Sequence, residues 1–531
     1  VGTVKVAVNG SVQAQEDTSI AGTWDISGVS VTSGQIVTIW IDAAATMADR
    51  AGAVAKYDGT GDITGVTLFK EHFTIGSVDD QTLTNADIGQ YDNSVASGDD
   101  DVFWEVSAGN DLTVDTEVQS SQEELYVASG DTFRPASAGG ADVTTNHVEN
   151  VGVWTADANA ISVGGNWLNS NTFTYDTSTA TFTATDTGHT INNGASNFYN
   201  VTFNGSGGAW SPLTNTLTVT NDLIMTAGTF NTAAGTANVT VNGNVQCLTT
   251  CGTITMNSAG TNTFTQSVSA SKSFGTNVAV GTNWTFYKLT FTASSGTPTI
   301  TFNATGTGQT IVANTLSTTN GGTSLIVDNE TNDRIIDVNG AVTIGAGTTL
   351  QASSTAAFNV AGNWTNNGDF TDGSGTVTLD GGSQQTVDGQ LTGANDRFNN
   401  LIITNASGSD PVTSPSVIFA AALDTASTFN ASTASTKLRF LAGGTYTLQN
   451  LTLNGQATGT RVALRSSTGG TQWNVNVAGT RAVTYTEEKD SNACGQAPDI
   501  DASDGTSHDI GGNDCWNIHT LTFVINDVAV G

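Results

Sequence analysis

The run Val163-Gly164-Gly165-Asn166-Trp167 returns as Val360-Ala361-Gly362-Asn363-Trp364, and its surroundings return with it. Each copy is followed by an aromatic residue, Phe173 or Phe370, and then by a Thr/Val run at 181–185 or 375–379. Each closes on an aromatic-Asn run, Phe198-Tyr199-Asn200-Val201-Thr202 or Phe398-Asn399-Asn400-Leu401-Ile402. Looser copies stand at 283–290 and 448–452. A unit this short cannot bury a core by itself, so successive copies must stack on one another. Alternation of period two, as at Val239, Val241 and Val245 among polar neighbours, places apolar side chains on one face of a strand. Short strands between Gly/Asn corners therefore predict a β-solenoid in which each coil pairs its backbone with the next. A string of small β-sandwiches is the alternative architecture.

Composition points the same way. Thr is the commonest residue and Gly numbers 60, while the helix formers Lys, Glu, Arg and Met are scarce. Only 6 prolines interrupt 531 residues, as long hydrogen-bonded ladders require. The charge balance removes whole classes of partner. Lys and Arg number 15 against 48 acids, a formal net charge of −33, and between Lys70 and Lys272 the one basic residue is Arg134. A phosphate backbone or an anionic membrane surface needs clustered cations, so neither nucleic acid nor a lipid surface is an expected partner. No apolar run reaches the roughly 18–20 residues of a spanning helix, so no membrane span is expected. Val1 and the absence of a signal sequence suggest a processed chain.

The expected organisation is an all-β chain of three parts: an N-terminal β-sandwich over 1–125, an irregular solenoid over 126–460 and a disulfide-stapled cap over 461–531. Candidate strands of the sandwich lie at 3–8, 22–26, 35–41, 66–70 and 73–75. The cysteines form two local pairs, Cys247 with Cys251 and Cys494 with Cys515, which suits two disulfides and an oxidising, extracellular compartment. A metal site seeded by Cys247 and Cys251 finds no further ligands nearby in sequence.

Catalytic signals are weak. His72, His147, His189, His508 and His519 stand outside any nucleophile-elbow, zinc-binding or phosphate-cradling motif, and no enzyme activity is expected. A polysaccharide-degrading β-helix enzyme, built on paired carboxylates, is the remote alternative. Two clusters supply the oxygen ligands that calcium prefers. One is Asp92, Asn93, Asp99, Asp100 and Asp101; the other is Asp499, Asp501, Asp504, Asp509, Asn513 and Asp514. Ca2+ is the one cofactor these residues suggest. The many Asn-x-Ser/Thr sequons match what such a composition produces by chance.

Both termini read as strands. Val4, Val6 and Val8 alternate at one end, and Phe523, Ile525, Val528 and Val530 recur within 521–531 at the other. A strand donated from one copy to the next would give a head-to-tail homopolymer.

The Gly-Asn-Trp repeats with their Phe-Tyr-Asn-Val-Thr closers resemble the repetitive secreted, adhesin-like surface proteins of ultra-small candidate-phylum bacteria. The runs 1–9, 36–41 and 55–58 are similar to the leading domain of those proteins. The run 473–485, followed by Asp490-Ser491-Asn492-Ala493-Cys494, looks like their recurrent C-terminal unit. The resemblance implies β-solenoid architecture, export and a role at the cell surface, and brings no catalytic motif. The expected function is that of a structural subunit of an extracellular filament. An adhesin stalk that binds glycans or another cell is the alternative, with Trp167, Trp284 and Trp364 as contacts, although core packing explains those three residues equally well.

Overall fold

In a computed structural model the described residues are 2–18, 22–44, 49–76, 81–94, 101–114, 124–137, 139–231, 237–247, 251–256, 262–276, 284–303 and 310–518. Their regular structure is strand, with one short helix, α1 (Asn85–Ile88). The chain divides into two compact units, Val1–Gln266 with Thr276–Val278, and Ser267–Gly275 with Ala279–Gly531.

The first unit begins as an antiparallel sheet. β1 (Thr3–Val8) lies between β2 (Ser11–Thr18) and β3 (Ile36–Asp42), and β3 pairs with β4 (Gly52–Lys56). At β5 (His72–Ile75) the direction changes. β5 runs parallel to β4 and to the strand Glu124–Val127, which in turn pairs parallel with His147–Asn150. From there the ladder is parallel and grows by coils of roughly 20 residues, the short end of the range for stacked repeats. Leu112, Val143, Ile161, Ala180, Val201, Leu223 and Val245 fall in register and form one buried column. Phe182, Phe203 and Phe230 stack along a second, with centroids 5.3 and 4.9 Å apart, close to the spacing of paired strands. The solenoid follows from the alternation: inward Val, Ile and Phe lie under the next coil, and outward Thr and Ser face water.

The second unit is built likewise. Val342, Trp364, Val387, Phe419 and Phe440 are successive register partners, all buried. The ladder crosses residue 461 unbroken, with Lys437 paired to Ala463, Ala463 to Glu487 and Glu487 to His508. The expected cap is therefore a continuation of the coils, and only its final turns carry the staple.

The two long repeats adopt one arrangement in their separate units. Trp167 sits 4.9 Å from Phe173 and 5.2 Å from Phe198; Trp364 sits 4.8 Å from Phe370 and 5.3 Å from Phe398. In each copy the Asn before the Trp accepts a main-chain N–H from the following coil, Thr190 to Asn166 at 2.9 Å and Thr386 to Asn363 at 2.8 Å. Glycine is required where the next coil passes over. A Cβ at Gly194 would lie 2.1 Å from the Asn169 carbonyl oxygen, and one at Gly389 would lie 2.0 Å from that of Asn366.

The N-terminal sandwich takes a different form from the expected one. Of the candidate strands, 22–26 and 66–70 are irregular. Trp24, Ile26, Val29, Val31, Ile63, Val66 and Leu68 still pack on the sheet face formed by Val4, Val6, Val37 and Ile39. Their alternation slips by one residue at Gly28 (φ 80°) and at Gly65 (φ 75°), so neither segment stays in phase as a strand. One sheet is thus covered by loops where a second sheet was expected. The boundary at 125 also dissolves, since the strand Glu124–Val127 is a rung of the same sheet as β5.

Candidate functional site

Three consecutive parallel strands bring together residues far apart in sequence. His72 on β5 and Glu124 on the next rung are register partners, and Glu149 projects from the rung after that, on His147–Asn150. His72 Nε2 lies 3.5 Å from Glu124 Oε2, and one ligand atom from each of His72, Glu124 and Glu149 lies within 4.8 Å of the others. All three side chains are half-buried. Phe69 and Tyr126 wall the imidazole, with ring centroids 5.7 and 6.4 Å from it. His72 Nδ1 faces the carbonyl oxygen of Lys70. A carbonyl only accepts, so Nδ1 donates its N–H there, and Nε2 is the ring nitrogen that faces Glu124.

The electrostatics follow from the crowding. Burial, followed by the hydrogen bond and charge of Glu149, pushes the Glu124 carboxyl up to about 8. A second carboxylate beside a partly desolvated one disfavours its ionised form, which is why the Glu124 carboxyl moves up. Burial also raises the Tyr126 phenol, with Glu149 and Glu124 adding to the effect.

Most of the described acids expected to bind calcium hold main-chain N–H groups. Asp92 is buried and accepts from Ser94 Oγ at 2.7 Å and from the Val106 N–H at 2.8 Å. Asn93 donates to the Val102 carbonyl at 2.9 Å, and Asp101 accepts from the Ala43 and Ala44 amides. Asp99 and Asp100 lie outside the described residues. In the second cluster Asp501, Asp504 and Asp509 each accept the N–H two residues ahead, from Ser503, Thr506 and Gly511. Asp514 accepts from Gln472, Asn513 bonds Ser491 and Asp509, and Asp499 is exposed. Among the described residues His72, Glu124 and Glu149 are the group whose ligand atoms converge, and neither cluster does so. Asp and Asn favour these turns because their side chains reach the backbone two residues on.

The other expectations divide. Cys247 pairs with Cys251 and Cys494 with Cys515 as disulfides, which leaves no thiolate pair for a metal. Trp167, Trp284 and Trp364 are buried in the solenoid interior, so they cannot be surface contacts for a glycan. Val4, Val6 and Val8 belong to a strand with both edges paired inside its own chain, so β1 offers no free ladder. Phe523, Ile525, Val528 and Val530, with His519, lie outside the described residues. His147 accepts the Asn166 N–H at Nδ1, His189 bonds Asp186 at 2.8 Å, and His508 is exposed.

A second feature is a groove of about 980 Å³ where the two irregular segments cross the N-terminal sheet. Val6, Val37 and Ile39 form its floor, and Trp24 and Tyr57 stand in its wall with Asp25 and Asp62. Neither feature was found from the sequence. The convergence of His72 with Glu124 and Glu149 depends on which rung follows which, and the one available cue was their shared outward parity on strands. No protein-family model, curated protein or solved structure matches this chain.

Proposed function

We propose that the chain is a structural subunit of an extracellular surface filament, joined head to tail by β-strand complementation. The observation that carries this reading is the groove over the N-terminal sheet. An apolar floor of Val6, Val37 and Ile39 lies under segments that make no second sheet, which is the kind of surface an added strand completes. The outer edge of β2, unpaired among the described residues, supplies a ladder for it. The donor is residues 521–531 of the next copy, where Phe523, Ile525, Val528 and Val530 recur as in a strand. Two disulfides suit an oxidising environment. Coils packed solid with aromatic and aliphatic residues suit a load-carrying role, and the resemblance to secreted surface proteins points the same way.

The test compares the full chain with a chain ending at residue 520, by light scattering and negative-stain imaging. The full chain is expected to form filaments and the shortened one single particles, with a synthetic 521–531 peptide binding the latter. Filaments that persist after the deletion reject strand donation. A second reading, an adhesin whose groove takes a glycan, is favoured by Trp24 and Tyr57 in the groove wall. It predicts discrete particles that bind oligosaccharide and lose that binding in Trp24→Ala.

A further inference from the structure

We propose that His72, Glu124 and Glu149 form a binding site for a divalent transition ion of the zinc class, clamping three successive rungs of the first unit. The ligand set is one imidazole nitrogen and two carboxylate oxygens, the mixed nitrogen–oxygen chemistry such ions take, and it leaves a fourth position for water. Calcium is a poor fit, because it seeks six to eight oxygens and no imidazole.

The spacing fits. Four tetrahedral ligands at about 2.1 Å from an ion lie about 3.4 Å from one another. His72 Nε2 and Glu124 Oε2 already stand 3.5 Å apart, and Glu149 needs only a rotamer adjustment within the 4.8 Å group. The backbone holds this arrangement. His72 and Glu124 are direct partners across β5 and the strand Glu124–Val127, and Glu149 belongs to the strand paired on the other side.

A second observation is independent of the distances. Metal-bound histidine usually donates its other ring N–H to a carbonyl or carboxylate, which fixes the tautomer and the ring plane. Here the Lys70 carbonyl takes that N–H from Nδ1 and leaves Nε2 directed at the two glutamates. The rings of Phe69 and Tyr126, 5.3 Å apart, close one side and restrict the imidazole further. The Lys70 ammonium, two residues from His72 in the chain, is engaged with Asp49. An ion bound here ties together segments that are separate in sequence, so its binding free energy adds to the stability of the first coils.

The experiment is a calorimetric titration of the chelator-treated full chain with Zn2+, repeated with Glu149→Gln and His72→Gln. Co2+ is then used as a spectroscopic substitute. The wild-type chain is expected to bind one Zn2+ at a site that weakens at least tenfold in each variant. Bound Co2+ is expected to give visible absorption that Zn2+ abolishes and that both variants lack. Both substitutions are near-isosteric and half-exposed, and equal melting of all three chains in EDTA confirms that each is folded. Wild-type affinity and stoichiometry in both variants would place the ion on other carboxylates and overturn the proposal. So would the absence of Zn2+ binding to the wild-type chain.

Discussion

Glu488 shows how one residue can defy its surroundings. Val417, Leu438 and Leu464 precede it as register partners in a buried column, and its carboxyl takes the next inward place. Burial raises that carboxyl from 4.5 to about 8; Asp509 adds to the shift, while Thr486 and Arg465 oppose it. The folded chain therefore keeps a proton that the unfolded chain has lost throughout this range. Its contribution to stability is complete below about pH 4.5 and disappears as pH rises through about 8. The loss is on the order of 4 kcal/mol for a shift of this size. Melting of the second unit should fall between pH 5 and pH 9, and Glu488→Gln should flatten that dependence and raise stability at pH 9. Thermal scans across pH check this. An unchanged slope in the variant would show that the carboxyl is solvated. Glu124 has the same sign but acts in the first unit.

At the level of elements, the sequence was most informative where one rule acted alone. The pair Val239/Val241 alternates in the ordinary way, and it became a strand with both residues inward. The repeats were legible because Trp167 and Trp364 must each find a Phe on the neighbouring corner. Whether the same Trp residues faced the surface or the core stayed open in the sequence, since period two gives alternation without saying which face is inside. The N-terminal segments failed for a local reason, the slip in phase at Gly28 and Gly65. The candidate metal site was illegible because register between distant rungs is a property of coil length. Ligand chemistry suggested the calcium clusters, and turn chemistry accounts for most of their described residues. The last coils offer a direct test of the staple. Cys494–Cys515 closes a loop of 21 residues, which the loop-entropy estimate values at about 3 kcal/mol. Reduction should loosen the rungs over 486–517 and leave those near Val342 and Trp364 protected. Amide exchange with and without reductant reads this directly. Uniform loss of protection across the unit would instead mean that the coils melt together.

For the molecule as a whole, stacking makes stability a sum of neighbour terms, because each coil packs chiefly on the coils before and after it. Damage should then stay local. Trp167 and Trp364 occupy equivalent places, each buried and each touching its two Phe partners, but they belong to different compact units. Removing either indole deletes a large buried side chain and leaves a cavity, at a cost of about 3–5 kcal/mol. Trp167→Ala should raise amide exchange in the rungs around Val148 and Ile191, its register partners, without changing exchange around Val342 and Val387. Trp364→Ala should do the reverse. Leu168→Ala, at an exposed position beside Trp167, should change neither. A Trp167→Ala chain that loses protection equally in both units would contradict nearest-neighbour additivity. It would mean that this solenoid unfolds as one cooperative body, and that its resistance to proteases depends on its weakest coil.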